Sequence, residues 1–209
     1  MKNRLLVTVL LAVALVGLPG TAEAADVLHL TGGSAEAFFS STDPSGCIST
    51  FVFLVANDEN RQSPPDPGSA SSHGGITISQ RDNCTDTVLL GATGLAELAD
   101  PDFQVLGPLT SATLDTTIEV FDFVSSSSFN VDVAMTWTGT GDVNRENSNG
   151  HLELPGLIVN SHFSGAHRLA DASGVVTNGV NFTPNPSFRA EISSVISGSV
   201  FIEHTVDID

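Results

Sequence analysis

The residues best suited to chemistry in this sequence are His151, Glu153, His162 and His167. Imidazole nitrogen and carboxylate oxygen are ligands for zinc, copper or iron, so a divalent metal is the cofactor they would hold. A tight turn at Pro155-Gly156 would pair the flanking segments so that opposed residue numbers sum to 311. His151 then faces Asn160, His162 lies diagonally across, and Glu153 shares their face. Diagonal neighbours in an antiparallel pair are within reach of long side chains. The same register gathers Leu152, Leu154, Leu157, Val159 and Phe163 on the other face. That face is expected to be core, which leaves the histidines toward solvent. No tight ligand motif links them, so ordinary surface histidines are the leading reading and no cofactor is expected. Acidic clusters at Asp58-Glu59, Asp100-Pro101-Asp102 and Asp207-Ile208-Asp209 lack the spacing of a dedicated calcium loop.

Other chemistries are removed by composition. Lys2 is the one lysine, and tyrosine is absent. Past residue 24 there is no P-loop lysine, Schiff-base lysine, Ser-Lys dyad or tyrosine nucleophile. Neither Gly-x-Ser-x-Gly nor His-Glu-x-x-His occurs. Trp137 closes an alternating apolar run and is expected in the core; stacking on a ligand is the alternative.

Two cysteines, Cys47 and Cys84, are expected to form a disulfide, because the start of the chain reads as an export signal. Lys2 and Arg4 precede the apolar stretch Leu5 to Leu18, Pro19-Gly20 breaks it, and Ala22-Glu23-Ala24 fits the small-x-small cleavage pattern. The stretch is too short to span a bilayer, which takes about 20 residues. Residues 1–24 are therefore read as a signal peptide and 25–209 as one domain, secreted or periplasmic, with no transmembrane segment after cleavage. Without Lys2, Arg4 and Glu23 the chain holds 5 Arg against 23 acids, a net charge of −18. Phosphate contacts need Lys and Arg, so nucleic acid is excluded as a partner. The expected partner is a protein or a surface.

These groups must be positioned by strands. Phe129, Val131, Val133, Met135 and Trp137 alternate with mostly polar residues, the mark of a half-buried strand. Weaker runs cover Val27 to Leu30, Ile48 to Ala56, Gly75 to Gln80, Thr87 to Leu90, Ala112 to Phe123, Leu157 to Phe163, Val175 to Phe182 and Phe188 to Ile208. Ala92 to Ala99 reads as a short helix. If Cys47 lies opposite Cys84, Phe53 faces Ile78 and Val55 faces Ile76, all on one apolar face. Residues 57–74, polar and Pro-rich, read as a long exposed loop. The expected fold is an all-β antiparallel β-sandwich, with a closed β-barrel as the alternative. The expected function is a secreted non-enzymatic β-module for envelope structure or partner binding. The alternatives are a metal- or carboxylate-dependent enzyme and a barrel carrying a small apolar ligand.

Overall fold

Every regular element among the described residues is a β-strand, and every pairing is antiparallel. The computed structural model describes residues 26–63, 68–154, 157–177, 181–182 and 189–204. The leader, Pro64–Pro67, Pro155-Gly156 and the acidic end Asp207–Asp209 lie outside the described residues. The strands are β1 (Asp26–Thr42), β2 (Ile48–Gln62), β3 (Ser69–Asp82), β4 (Thr87–Glu97), β5 (Phe103–Leu106), β6 (Ser111–Asp122), β7 (Ser127–Gly139), β8 (Asn144–Leu154), β9 (Leu157–Thr177), β10 (Asn181–Phe182) and β11 (Arg189–His204).

The hydrogen bonding makes one sheet, not two. It runs β9–β11–β1–β2–β3–β4–β6, and β7 then joins β6 back to β9. The pairing thus returns on itself through eight strands. The all-β antiparallel expectation holds.

Alternation explains why the ring forms. Ala35, Ala37 and Phe39 of β1, Val52, Leu54 and Ala56 of β2, and Ile76 and Ile78 of β3 point inward and are buried. Leu114, Ile118 and Val120 of β6 meet Val131, Val133, Met135 and Trp137 of β7 in the same core. The outward positions of β6 and β7 carry Asp115, Glu119 and Asp132. Each large apolar side chain taken fully from water contributes about 1.5–3 kcal/mol. Among the described residues, every buried side-chain nitrogen and oxygen has a hydrogen-bond partner.

The ring has a short seam. β4 and β6 pair only at Ala92↔Asp122 and Thr93↔Phe121. Gly94 sits at this crossing because a Cβ there would fall 2.2 Å from the Glu119 carbonyl oxygen. The expected helix at Ala92 to Ala99 is corrected here, since β4 continues to Glu97. Ala, Leu and Glu favour helix, but Ala92 is needed as a small inward residue, and packing overrides so weak a preference.

The disulfide is present, with Cys47 and Cys84 Cα atoms 5.2 Å apart. It joins the β1–β2 turn to the β3–β4 turn. The register expected from it is off by one residue. Val52 faces Ile78 and Leu54 faces Ile76, while Phe53 faces Thr77. The cysteines lie beyond the strand ends, where the Asn83 amide donates to the Cys47 carbonyl at 2.7 Å. They are not an opposed pair, and a shift of one residue exchanges the two faces. Phe53 therefore points outward and stacks on Phe38 with centroids 4.5 Å apart.

The long loop expected at 57–74 is also corrected. β2 and β3 pair from Ile48↔Asp82 out to Arg61↔Ser69, leaving only residues 63–68 as the connection. Backbone pairing with β1, from Ser34↔Asn57 to His29↔Gln62, holds this polar segment extended. Glycine and serine set no apolar pattern, so the strand carries no sequence signal. No helix among the described residues is long and apolar enough to cross a membrane.

Candidate functional site

The candidate histidines lie on an extension of the ring. β9 is 21 residues long and changes neighbours along one edge. Its C-terminal part pairs with β7 from Gly139↔Ala170 to Asp132↔Thr177. Its N-terminal part pairs with β8 from Asn144↔His167 to Leu154↔Leu157. Both ladders of β11 shift register at this level, against β1 at Leu30/Gly32 and against β9 at Val195/Ser197, with the extra residue on β11 each time. Bulges bend a sheet and raise its twist. Arg168 braces the step between β7 and β8, its Nε donating to the Gly141 carbonyl at 3.1 Å.

The register expected for this hairpin is found: His151 faces Asn160 and His162 faces Asn149. Each histidine bonds its cross-strand asparagine. His151 Nδ1 lies 2.7 Å from Asn160 Oδ1, and His162 Nδ1 lies 2.6 Å from Asn149 Oδ1. An amide oxygen only accepts, so each Nδ1 donates and carries the proton. Each Nε2 is then the ring nitrogen not engaged by an asparagine. His151 Nε2 is 4.0 Å from Glu153 Oε2, and their side chains are 61% and 74% exposed.

His167 sits at an odd position of β9 and His162 at an even one, so their side chains leave opposite faces. The four groups His151, Glu153, His162 and His167 are not gathered into one ligand set. Among the described residues, the one group of three such side chains with donor atoms within 4.8 Å of one another is Cys47, Asp82 and Cys84. Both of its sulfurs are spent in the disulfide, and the thiolate is the metal-binding form.

One expectation about the other face is overturned. Leu152 and Leu154 are 51% and 48% exposed, not core. Every residue of β8 is exposed, because the hairpin stands beyond the ring and nothing among the described residues covers either face of β8. Leu157, Val159 and Phe163 are half-buried.

Trp137 lies in the ring and is fully buried. Its Nε1–H donates to the Glu36 carbonyl at 2.9 Å. β7 and β1 are not neighbours in the sheet, so the indole bridges the interior. Neither ring face is open to a ligand from solvent, and the stacking alternative has no access. A shallow open groove of about 240 Å³ runs along the outer surface of β6, β7 and β9, lined by Asp115, Thr117, Asp132 and Thr177 among others. Thr117 Oγ1 donates to Asp132 Oδ1 there at 2.7 Å.

Several acids serve the backbone. Asp58 Oδ1 accepts from the Gly33 amide at 2.6 Å, and Asp102 Oδ2 from Ala99 at 3.0 Å. Glu59 pairs with Arg61. In the turns beside the disulfide, Asp43 accepts from Ser45 Oγ and the Ile48 amide, and Asp82 from the Cys84 and Thr85 amides. These bonds hold both carboxyls below the usual carboxylate range.

The sequence reading missed Asp122. It is a buried carboxylate at the ring seam. Oδ1 accepts from the Gly91 amide at 3.1 Å and the Val124 amide at 3.0 Å. Oδ2 accepts from the Ser125 amide at 3.1 Å and the Ser125 hydroxyl at 2.5 Å. The Ser125 hydroxyl foremost, with the Val124 amide next, lowers its pKa to about 2. A signal for it exists: Ile118 and Val120 set an inward parity that Asp122 continues, just before a Ser-rich turn.

No family model matches the chain, and no curated protein matches it. Two solved structures are similar in part. One is a protein from Nitrosomonas europaea with the provisional name AttH, 11% identical, aligned over 92% of this chain with a TM-score of 0.25. This chain spans 58% of that protein's length. The other is the enduracididine biosynthesis enzyme MppR, 9% identical, covering 86% of this chain and 87% of its own, with a TM-score of 0.23. Likeness this low assigns the chain to no family and carries no function to it.

Proposed function

We propose that the chain is an exported, non-enzymatic β-module that works by presenting a surface, either as part of a cell envelope or to a partner protein. The observation that carries this reading is the contrast between a filled ring and an uncovered extension. Trp137 bridges the interior that a carrier of apolar ligands would need empty. β8, outside that ring, offers both faces and one edge. The export signal and the Cys47–Cys84 disulfide agree on an oxidising compartment. A net charge of −18 past the leader with no lysine argues against a phosphate-rich partner.

The test is expression of the full chain in a secreting host, followed by N-terminal sequencing and native mass spectrometry. The expected product begins at Ala25, lies outside the cytoplasm, and has the mass of the polypeptide with one disulfide. A product that keeps residues 1–24 and stays in the cytoplasm rejects export. An apolar molecule bound at one per chain moves the reading to a carrier.

A further inference from the structure

We propose that β8 is a homodimer edge, pairing antiparallel with β8 of a second copy of this chain about a two-fold axis through Asn149. Among the described residues, β8 is an 11-residue strand hydrogen-bonded only to β9. Its other edge therefore presents a row of unpaired amides and carbonyls, a template for another strand. No proline interrupts it.

Geometry and charge select the same register. In an antiparallel pair, opposed residues both point their backbone groups at each other or both point them away. Two copies of one strand can therefore meet only where opposed residue numbers have an even sum. This removes the register that would place Glu146 against Glu153. Among even sums, 298 aligns β8 end to end, Asn144 with the partner's Leu154. That register also sets Arg145 opposite the partner's Glu153, and Glu153 opposite the partner's Arg145. Opposed side chains leave on the same face, so both pairs are direct neighbours, each contributing stability where like charges would cost it. Between them, Asn147 meets the partner's His151, and Asn149 meets the partner's Asn149.

Arg145 sharpens the assignment. It is one of 5 arginines in a chain of 23 acids past the leader, and it is exposed. Among the described residues no ion pair holds it. The one cation of β8 thus has no ion-pair partner among the described residues and gains one at the two-fold register.

This inference rests on the reading of the chain as a surface-presenting module, and its test separates the two. Sedimentation of the disulfide-bonded protein from micromolar to near-millimolar concentration is expected to show a monomer–dimer equilibrium. R145E and E153R each place like charges in opposition twice and are expected to weaken dimerisation tenfold or more. The double variant R145E/E153R exchanges the partners and is expected to restore it. Hydrogen exchange on the unmodified protein is expected to slow at residues 144–154 as concentration rises. A monomer at every concentration overturns the dimer and leaves the surface reading to be judged by its own test. A dimer whose β8 amides gain no protection, or whose affinity neither single variant changes, overturns this edge as the interface.

Discussion

The ring and its β8–β9 extension are made from the same strand geometry, yet they follow opposite rules. In β7 every second residue from Val131 to Trp137 is buried, and the residues between are exposed. In β8 all 11 residues are exposed, although its backbone ladder with β9 is as regular as any in the molecule. The ring is held by side chains meeting inside a closed surface. The extension is held by backbone bonds and by cross-strand pairs such as His151 with Asn160. Regular pairing therefore does not require a buried face when a neighbouring core anchors one strand of the pair. β9 supplies that anchor, with Ala170, Ala172 and Val176 buried in the ring.

The contrast can be broken most directly at Trp137. Trp137→Ala should lower unfolding free energy by about 3–5 kcal/mol, since it empties the centre of the core and removes an internal hydrogen bond. Leu152→Ala on the extension should change it by no more than about 0.5 kcal/mol, as an exposed position does. Equilibrium denaturation of both variants decides this. Equal losses would mean that the extension is covered in solution.

Removing the covalent tie comes next. Replacing Cys47 and Cys84 together by serine should cost about 2–4 kcal/mol, from freeing a segment of sequence separation 37 in the unfolded chain. The loss should appear as a lower denaturant midpoint. A midpoint equal to that of the native protein would show that the turns hold without the bond.

The seam offers a smaller effect. Gly94→Ala forces a Cβ against the Glu119 carbonyl and should cost about 1–3 kcal/mol. Amides near Ala92 and Thr93 should exchange faster than those of β2. Uniform exchange around the ring would argue against a weak joint.

Asp122 makes the same seam sensitive to acid. Its pKa is lowered, from 3.8 to about 2. Its contribution is therefore present above pH 4 and is lost as pH falls through about 2. Asp122→Asn should be less stable at neutral pH and should flatten the stability profile between about pH 4 and 2. A variant with the native profile would place the acid response elsewhere.

What could be read from the sequence divides along the same line. The β7 pattern, the β8–β9 register and the disulfide were legible, since alternation, a Pro-Gly dipeptide between two strand patterns and a cysteine pair behind a signal-like leader each have a direct physical cause. The β2–β3 register was not, because both faces of β2 are apolar: Val52 and Leu54 on one, Phe51 and Phe53 on the other. Parity could not choose between them, and the cysteines, one step outside the ladder, gave the wrong answer. The strand between residues 57 and 62 was hidden because its partners, and not its own composition, keep it extended. The histidine face was legible as geometry. That Leu152 and Leu154 remain uncovered was not, because coverage depends on where the ring ends.

A ring of strands has no ends, and that is a form of protection against association. The β4–β6 joint, at two residue pairs, is the place where this protection can be withdrawn. Asp122 carries one side-chain bond across it, from the Gly91 amide, while its other three donors, the Val124 amide and the Ser125 amide and hydroxyl, belong to its own turn. Acid near pH 2, which protonates Asp122, should loosen this joint and uncover backbone groups of β4 and β6. At pH 4 and above the carboxylate stays charged and the joint stays shut, so the ring's shape is held by a turn that only strong acid can undo.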